Sequence, residues 1–159
     1  MSVNILFVCL GNICRSPMAE AVFQQMVKAA GLEGEIKADS AGTGSWHEGE
    51  TAHPGTLKVL RKHGIAYDGR ARQVRPQDFT LANSYIVVMD ESNLHNVRRL
   101  TNTHQHLFRL LEFADKTTQQ RSGLDVPDPY YTGNFEHVYQ LVEESCRNLL
   151  ATIRQREGL

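Results

Sequence analysis

The order of apolar segments along the chain predicts an α/β fold: an open parallel sheet with helices on both faces. Three features point to it. Short apolar runs alternate with amphipathic segments from end to end, which is the pattern of repeated strand and helix units. The first run, Val3 to Val8, passes through a short loop directly into helical spacing. The run Tyr85 to Met89 is apolar without alternation, as a strand covered on both faces must be.

Each element follows in order. Val3 to Val8 reads as a short buried strand. Pro17 to Ala30 places Met18, Val22, Met26 and Ala30 on one stripe and stops at Gly31, so the spacing predicts a helix. Glu35 to Ala41 reads as the second strand and Pro54 to His63 as a helix. After the strand Tyr85 to Met89, Glu91 to Thr101 reads as helical and His106 to Leu110 as a strand. Asn134 to Arg156 puts Phe135, Val138, Tyr139, Val142, Cys146, Leu149, Leu150 and Ile153 on one helical face. Ala114 to Gly133 is the longest stretch without clear periodicity, and loops of that length in a compact domain are often functional.

The 159 residues show no repeat, low-complexity tract or linker, so a single domain over 1–159 is expected. Seventeen basic and eighteen acidic residues leave a net charge of -1, which argues against nucleic acid or a membrane surface as partner. Val3 to Val8 is too short for a signal peptide or membrane span, so a cytoplasmic location is expected, with export by a route that needs no signal peptide left open. Three cysteines without closely spaced pairs do not form a disulfide scaffold or structural zinc site. The seven histidines, His104-x-His106 among them, lack a metal-ligand spacing, and neither a metal nor any other cofactor is expected.

In open parallel sheets the ligand site lies beyond the carboxyl ends of the strands, where the winding reverses. The segment Cys9-Leu10-Gly11-Asn12-Ile13-Cys14-Arg15-Ser16 lies between the first strand and the first helix. Such a loop aims several backbone N–H groups at one spot, and the helix dipole adds partial positive charge. Gly11 and Asn12 tolerate left-handed backbone, and Pro17 is suited to start the helix. These properties suit a phosphate. A thiol beside a helix N-terminus and a cation is readily ionised, so Cys9 is expected to be a nucleophile. Arg15 can bind phosphoryl oxygens with its planar fork, and Ser16 can hydrogen-bond the sulfur. A cysteine ending a buried strand is ordinarily a small core residue, but Cys-x5-Arg-Ser-Pro after a terminal strand outweighs that reading. The ATP-binding pattern Gly-x4-Gly-Lys-Ser/Thr is missing. Phosphoryl transfer to sulfur needs an acid for the leaving oxygen and a base for water. Asp128, before Pro129 in the long loop, is the first choice, although Asp-Pro is also a plain turn signal. Asp125 is the second choice.

The sequence resembles the low-molecular-weight protein tyrosine phosphatases over nearly its whole length. The resemblance is carried by Val8 to Pro17, Asp39-Ser40-Ala41, Ala71-Arg72-Gln73, Met89 to Leu94 and Asp128-Pro129-Tyr130-Tyr131. It implies a four-stranded parallel sheet and a metal-independent, two-step hydrolysis of phosphotyrosine or small aryl phosphates. It further implies Cys9 as nucleophile, Arg15 as phosphate ligand, Asp128 as acid and then base, and inhibition by phosphate-like oxyanions. Asn12 and Ser40 match positions that brace the loop, and Asp90 matches an acid that orients the arginine. Trp46 matches an aromatic wall of the cleft, facing Tyr130, with Tyr131 beside it. Such walls would favour a flat aryl phosphate. Bacterial relatives that prefer phosphoarginine have threonine where this chain has Ile13. Many members carry a loop-bracing histidine where this chain has Gly69. A cognate tyrosine kinase is a possible partner.

Three rival readings remain at this stage. Thioredoxin-coupled arsenate reductases share the Cys-x5-Arg loop but use further cysteines in the middle of the chain, and Met89 to Leu111 contains none. A protein-arginine phosphatase of the same fold is opposed by Ile13. A phosphate-recognising module without turnover is opposed by the presence of both Arg15 and Asp128. Cys14 is expected to pack beneath the loop, or to form a reversible disulfide with Cys9 that guards against over-oxidation. Cys146 reads as core.

Overall fold

The computed structural model describes residues 2–101 and 106–159; His104 of the His104-x-His106 pair lies outside them. Four parallel strands, β1 (Val3–Cys9), β2 (Ile36–Gly42), β3 (Ser84–Val88) and β4 (Leu107–Arg109), form a sheet in the order β2-β1-β3-β4. The helices are α1 (Arg15–Ala29), α2 (Pro54–Lys62), α3 (Glu91–Leu100), α4 (Lys116–Ser122), α5 (Pro129–Thr132) and α6 (Phe135–Glu157).

The period-two geometry of β1 divides its side chains between two cores. Val3, Ile5, Phe7 and Cys9 join Met18, Phe23, Leu60, Leu149 and Ile153 in a core built with α1, α2 and α6. Leu6 and Val8 face the opposite way, onto Ile86, Val88, Leu94 and Val97 with α3. Every residue of β3 is buried, as its uninterrupted apolar run predicts. The apolar face of α6 is as expected, with Cys146 fully buried and Phe135 packed at its margin. Among the described residues no helix is long and apolar enough to cross a membrane.

Several boundaries differ from the sequence reading. The first helix begins at Arg15, so Pro17 is its third residue and not its first; its missing N–H still falls in the first turn, where it breaks no helical bond. Ala30 is the C-cap of that helix. The stretch 114–133 is not structureless: it holds α4 and the single turn α5. Helix α4 buries no residue and is tied down by polar bonds, Gln119 Nε2 to the Leu111 carbonyl (2.7 Å) and Thr118 Oγ1 to Glu144 (3.0 Å). It therefore leaves no apolar stripe to read.

The winding reverses between β1 and β3, since the chain goes from β1 outward to β2 and then back across to β3 and β4. Arg15, where the loop after β1 enters α1, and Asp90, two residues beyond β3, meet at that reversal.

Candidate active site

Cys9 ends β1, and Asn12 turns the following loop with φ 58. Gly11 does not share that left-handed backbone. Its lack of a side chain serves contact instead, because an added Cβ would lie 2.9 Å from His47 Cδ2. The loop feeds α1, whose N-cap residue Cys14 makes no side-chain capping bond. The other helices of eight or more residues are capped, α2 by His53, α3 by Asp90 and α6 by Asn134. The N–H groups at the start of α1 are thus left facing the loop, which is the arrangement that receives an anion.

A chain of buried hydrogen bonds holds this loop. Asn12 Nδ2 donates to Ser16 Oγ (2.8 Å) and Ser40 Oγ (3.0 Å), while Asn12 Oδ1 accepts from Arg72 N–H (2.9 Å). The Arg72 N–H fixes which end of the Asn12 amide is oxygen. Ser16 Oγ, already an acceptor, has its proton free for Cys9 Sγ at 2.9 Å. Ser40 in turn donates to Glu20 Oε1 (2.6 Å), which also accepts from Tyr67 O–H (2.8 Å). Burial holds the Glu20 carboxyl above the usual range against these donors, and raises the Tyr67 hydroxyl together with the neighbouring Glu20 charge. At Gly69 an added Cβ would lie 2.2 Å from the Tyr67 oxygen. The glycine at the position of the family histidine therefore makes room for Tyr67, and the network runs on through Glu20 to Tyr67 and Gln24.

Arg15 is 3% exposed. Its Nη1 donates to Asp90 Oδ2 (2.7 Å) and to the Val126 carbonyl (2.9 Å), and its Nη2 lies 3.5 Å from Asp128 Oδ2. Burial works to lower the guanidinium pKa, but Cys9 and Asp90 outweigh it and the net direction is upward. Asp90 Oδ1 caps α3 through Asn93 N–H (2.8 Å), so one carboxylate both starts a helix and anchors the arginine. Asp128 caps α5 through Tyr130 N–H (3.1 Å). Asp125 is spent elsewhere, accepting from Glu91 N–H (3.0 Å) and lying 3.4 Å from Arg109.

These groups surround a cavity of about 230 Å³ lined by Cys9, Leu10, Gly11, Ile13, Cys14, Arg15, Trp46, His47, Asp128, Tyr130 and Tyr131. Asn12, Ser16, Ser40 and Asp90 lie outside that lining, with side chains committed to the bonds described above. Trp46, Tyr130 and Tyr131 stand exposed at the mouth. Cys9, Cys14 and Cys146 are all free thiols. Burial, Asp128 and Cys9 push the Cys14 thiol up to about 12, so it is a protonated neighbour of Cys9.

Four contributors escaped the sequence reading: His47, His53, Glu20 and the Tyr67 that bonds it. His47 lines the cleft and pairs with Glu50 (3.1 Å). His53 N–H donates to the Ile13 carbonyl (2.8 Å), and its ring contacts Phe135 and Tyr130, which links the phosphate loop to the Asp128 loop. Glu20 sits within α1 as an ordinary-looking helical acid. Spacing carries no signal for their roles: the Glu50 partner of His47 is local but does not place the ring in the cleft, and the contacts of His53, Glu20 and Tyr67 join segments distant in sequence.

The site is thus a thiol at the reversal point of a parallel sheet, beside the uncapped N-terminus of α1 and a buried arginine, an arrangement of the kind that receives an anion. The chain belongs to the low molecular weight phosphotyrosine protein phosphatase family, whose model matches residues 4–158. It is 50% identical over 161 residues to the low molecular weight protein-tyrosine-phosphatase YfkJ of Bacillus subtilis, covering 99% of each chain. The crystal structure of YfkJ superposes with a TM-score of 0.92 at 48% identity, over 98% of this chain and 97% of that one. A second relative, the low molecular weight protein-tyrosine-phosphatase PtpA of Staphylococcus aureus, is 48% identical over 151 residues, covering 93% of this chain and 92% of its own.

Proposed function

We propose that this chain hydrolyses phosphotyrosine and small aryl phosphates through a phosphocysteine on Cys9. The observation that carries the reading is the convergence on one 230 Å³ cavity of Cys9, Arg15 and Asp128 beneath three aromatic side chains. The phosphoryl group sits in the loop Leu10 to Ser16, held by its N–H groups and by Arg15. With Nη1 tied to Asp90 and Val126, the arginine offers Nε and Nη2 to two phosphoryl oxygens, a pairing that strengthens as charge develops. Cys9 Sγ attacks phosphorus, the bond from phosphorus to the tyrosyl oxygen breaks, and Asp128 gives that oxygen its proton. In the second step Asp128 takes a proton from water, the water oxygen attacks phosphorus, and the sulfur leaves. The Ser16 hydroxyl, 2.9 Å from Sγ, stabilises the departing thiolate.

Substrate choice rests on the walls. Trp46, Tyr130 and Tyr131 offer faces and edges to an aryl ring, and Ile13 presents a hydrocarbon surface where a guanidinium would lose its water without a partner. We assign phosphotyrosine in proteins as the substrate class, phosphate-like oxyanions as inhibitors of the loop, a tyrosine kinase as the enzyme that supplies the substrate, and the cytoplasm as the place of action, with all 159 residues acting as one domain. The test is a side-by-side comparison of phosphotyrosine, phosphoserine and phosphoarginine peptides with the wild type, Cys9→Ser and Asp128→Ala. The reading expects turnover of phosphotyrosine alone, none in Cys9→Ser, and a loss of about 10²- to 10⁴-fold in Asp128→Ala. Preference for phosphoarginine would overturn the specificity.

A further inference from the structure

The cleft over Cys9 has a neighbour. A second concavity, of about 370 Å³, is lined by Leu10, Thr43, Trp46, Asn96, Arg99 and Leu100. Leu10 and Trp46 border both cavities. Trp46 is 69% exposed, yet the six-membered ring of its indole packs against Gly44, where an added Cβ would fall 1.8 Å from Cζ3. The tryptophan is thus a seated wall between two hollows. A substrate chain leaving the first hollow over this wall enters the second.

The chemistry of the second hollow is lopsided. Arg99 stands exposed in the last turn of α3 and forms no ion pair among the described residues, and no carboxylate lines the groove. Leu100 is 55% exposed, an apolar surface beside the cation. Thr43 Oγ1, in the same wall, has no hydrogen-bond partner among the described residues. A cation next to leucine side chains at the lip of the catalytic cleft complements a short acidic, partly apolar peptide.

We propose that this groove is a subsite for substrate residues flanking the phosphotyrosine, and that it selects peptides carrying Asp or Glu close to it, with Arg99 as the recognising cation. An extended chain advances about 3.3 Å per residue, so a side chain roughly one to three positions away crosses the width of one indole. Leu10 and Leu100 contact the apolar parts of that segment. The proposal rests on the phosphatase reading above. A cation in the last turn of a helix also complements the helix dipole, a role that affects stability and leaves peptide selectivity untouched.

The experiment measures kcat and KM for phosphotyrosine peptides with Glu, Ala or Lys at the flanking positions, on the wild type, Arg99→Ala and Arg99→Glu, at low and high salt. The wild type is expected to favour Glu over Lys peptides by about three- to tenfold in kcat/KM, the scale of exposed charge pairs. The effect should lie in KM and shrink with salt. The preference should vanish in Arg99→Ala and reverse in Arg99→Glu. A wild type indifferent to flanking charge, or a preference that survives Arg99→Glu, overturns the subsite. Free phosphotyrosine, which reaches no flanking groove, separates the two levels. If the wild type turns it over without charge preference among peptides, only the subsite fails; if the wild type does not hydrolyse it, the phosphatase reading fails and the subsite with it.

Discussion

Ser16 has one hydroxyl proton, and its neighbours decide where it goes. Asn12 donates to its oxygen, which leaves the proton available to Cys9; one network step away, Ser40 accepts from Asn12 in the same way and directs its own proton at Glu20. Tyr67, admitted by Gly69, closes the chain from outside. Tyr67→Phe is therefore expected to cost about 1 kcal/mol of stability, the value of a buried hydrogen bond, and to weaken binding of a phosphate analogue measurably. Gly69→Ala should reproduce both effects by displacing the tyrosine, and a neutral Gly69→Ala in denaturation and inhibitor titrations would contradict this account of the network. Cys14 supplies a second test at this scale. Its thiol, pushed up to about 12 by burial, Asp128 and Cys9, stays protonated until peroxide has converted Cys9 to a sulfenic acid; the Cys14 sulfur then attacks the Cys9 sulfur, its proton and the Cys9 hydroxyl leave as water, and a disulfide remains. Activity lost to mild peroxide should return with dithiothreitol in the wild type and fail to return in Cys14→Ser; equal recovery in both would remove Cys14 from any protective role. The residues of the loop were legible in the sequence because they are contiguous. Glu20 and Tyr67 were not, because their meaning lies in contacts across 20 and 47 positions.

At the scale of elements, helix ends do the positioning. The N-terminus of α1 has no side-chain cap, whereas Asp90 caps α3 and holds Arg15 with its second oxygen. The two roles separate by substitution. Asp90→Ala should lose about 1 kcal/mol from the cap as well as activity, while Asp90→Asn should keep the cap and recover stability but still fall in kcat/KM. Equal recovery of both quantities in Asp90→Asn would show that the charge on Asp90 does not orient the arginine. The strands and the long helices were readable because their apolar periodicity is strong, as in β3 and α6. Helix α4 was missed because it is polar on every side, and α5 because a four-residue turn has no period. Gly11 and Asn12 both tolerate left-handed backbone, and only Asn12 takes it; the close approach of His47 to Gly11 has no local sequence signal.

Across the whole molecule, Arg72 ties the rear of the site together. Its side chain holds both oxygens of Asp78 (3.0 Å each) and Asp39 (2.9 Å), while its backbone bonds Asn12 and Gly42. Burial works to raise the Asp78 carboxyl, but the Arg72 side chain and the Arg75 N–H outweigh it and hold it below the usual range. A carboxyl lowered in the folded state contributes stability above its unfolded pKa and loses it as pH falls through the folded value. Glu20, raised by burial, has the opposite sign: its contribution is full below the unfolded pKa and is lost as pH rises through the folded one. Urea midpoints measured across the acid range should therefore lose their lowest-pH dependence in Asp78→Asn and their dependence above the ordinary carboxylate pKa in Glu20→Gln; unchanged profiles would remove both carboxyls from the acid response. The central claim, that this fold exists to place a phosphoryl group on Cys9, has a direct measurement in rapid-quench turnover of p-nitrophenyl phosphate with intact-mass detection of the enzyme. The account predicts a phosphate adduct on Cys9 that forms with the first equivalent of nitrophenol and is absent in Cys9→Ser. Turnover without an adduct on Cys9, or undiminished in Cys9→Ser, would contradict it.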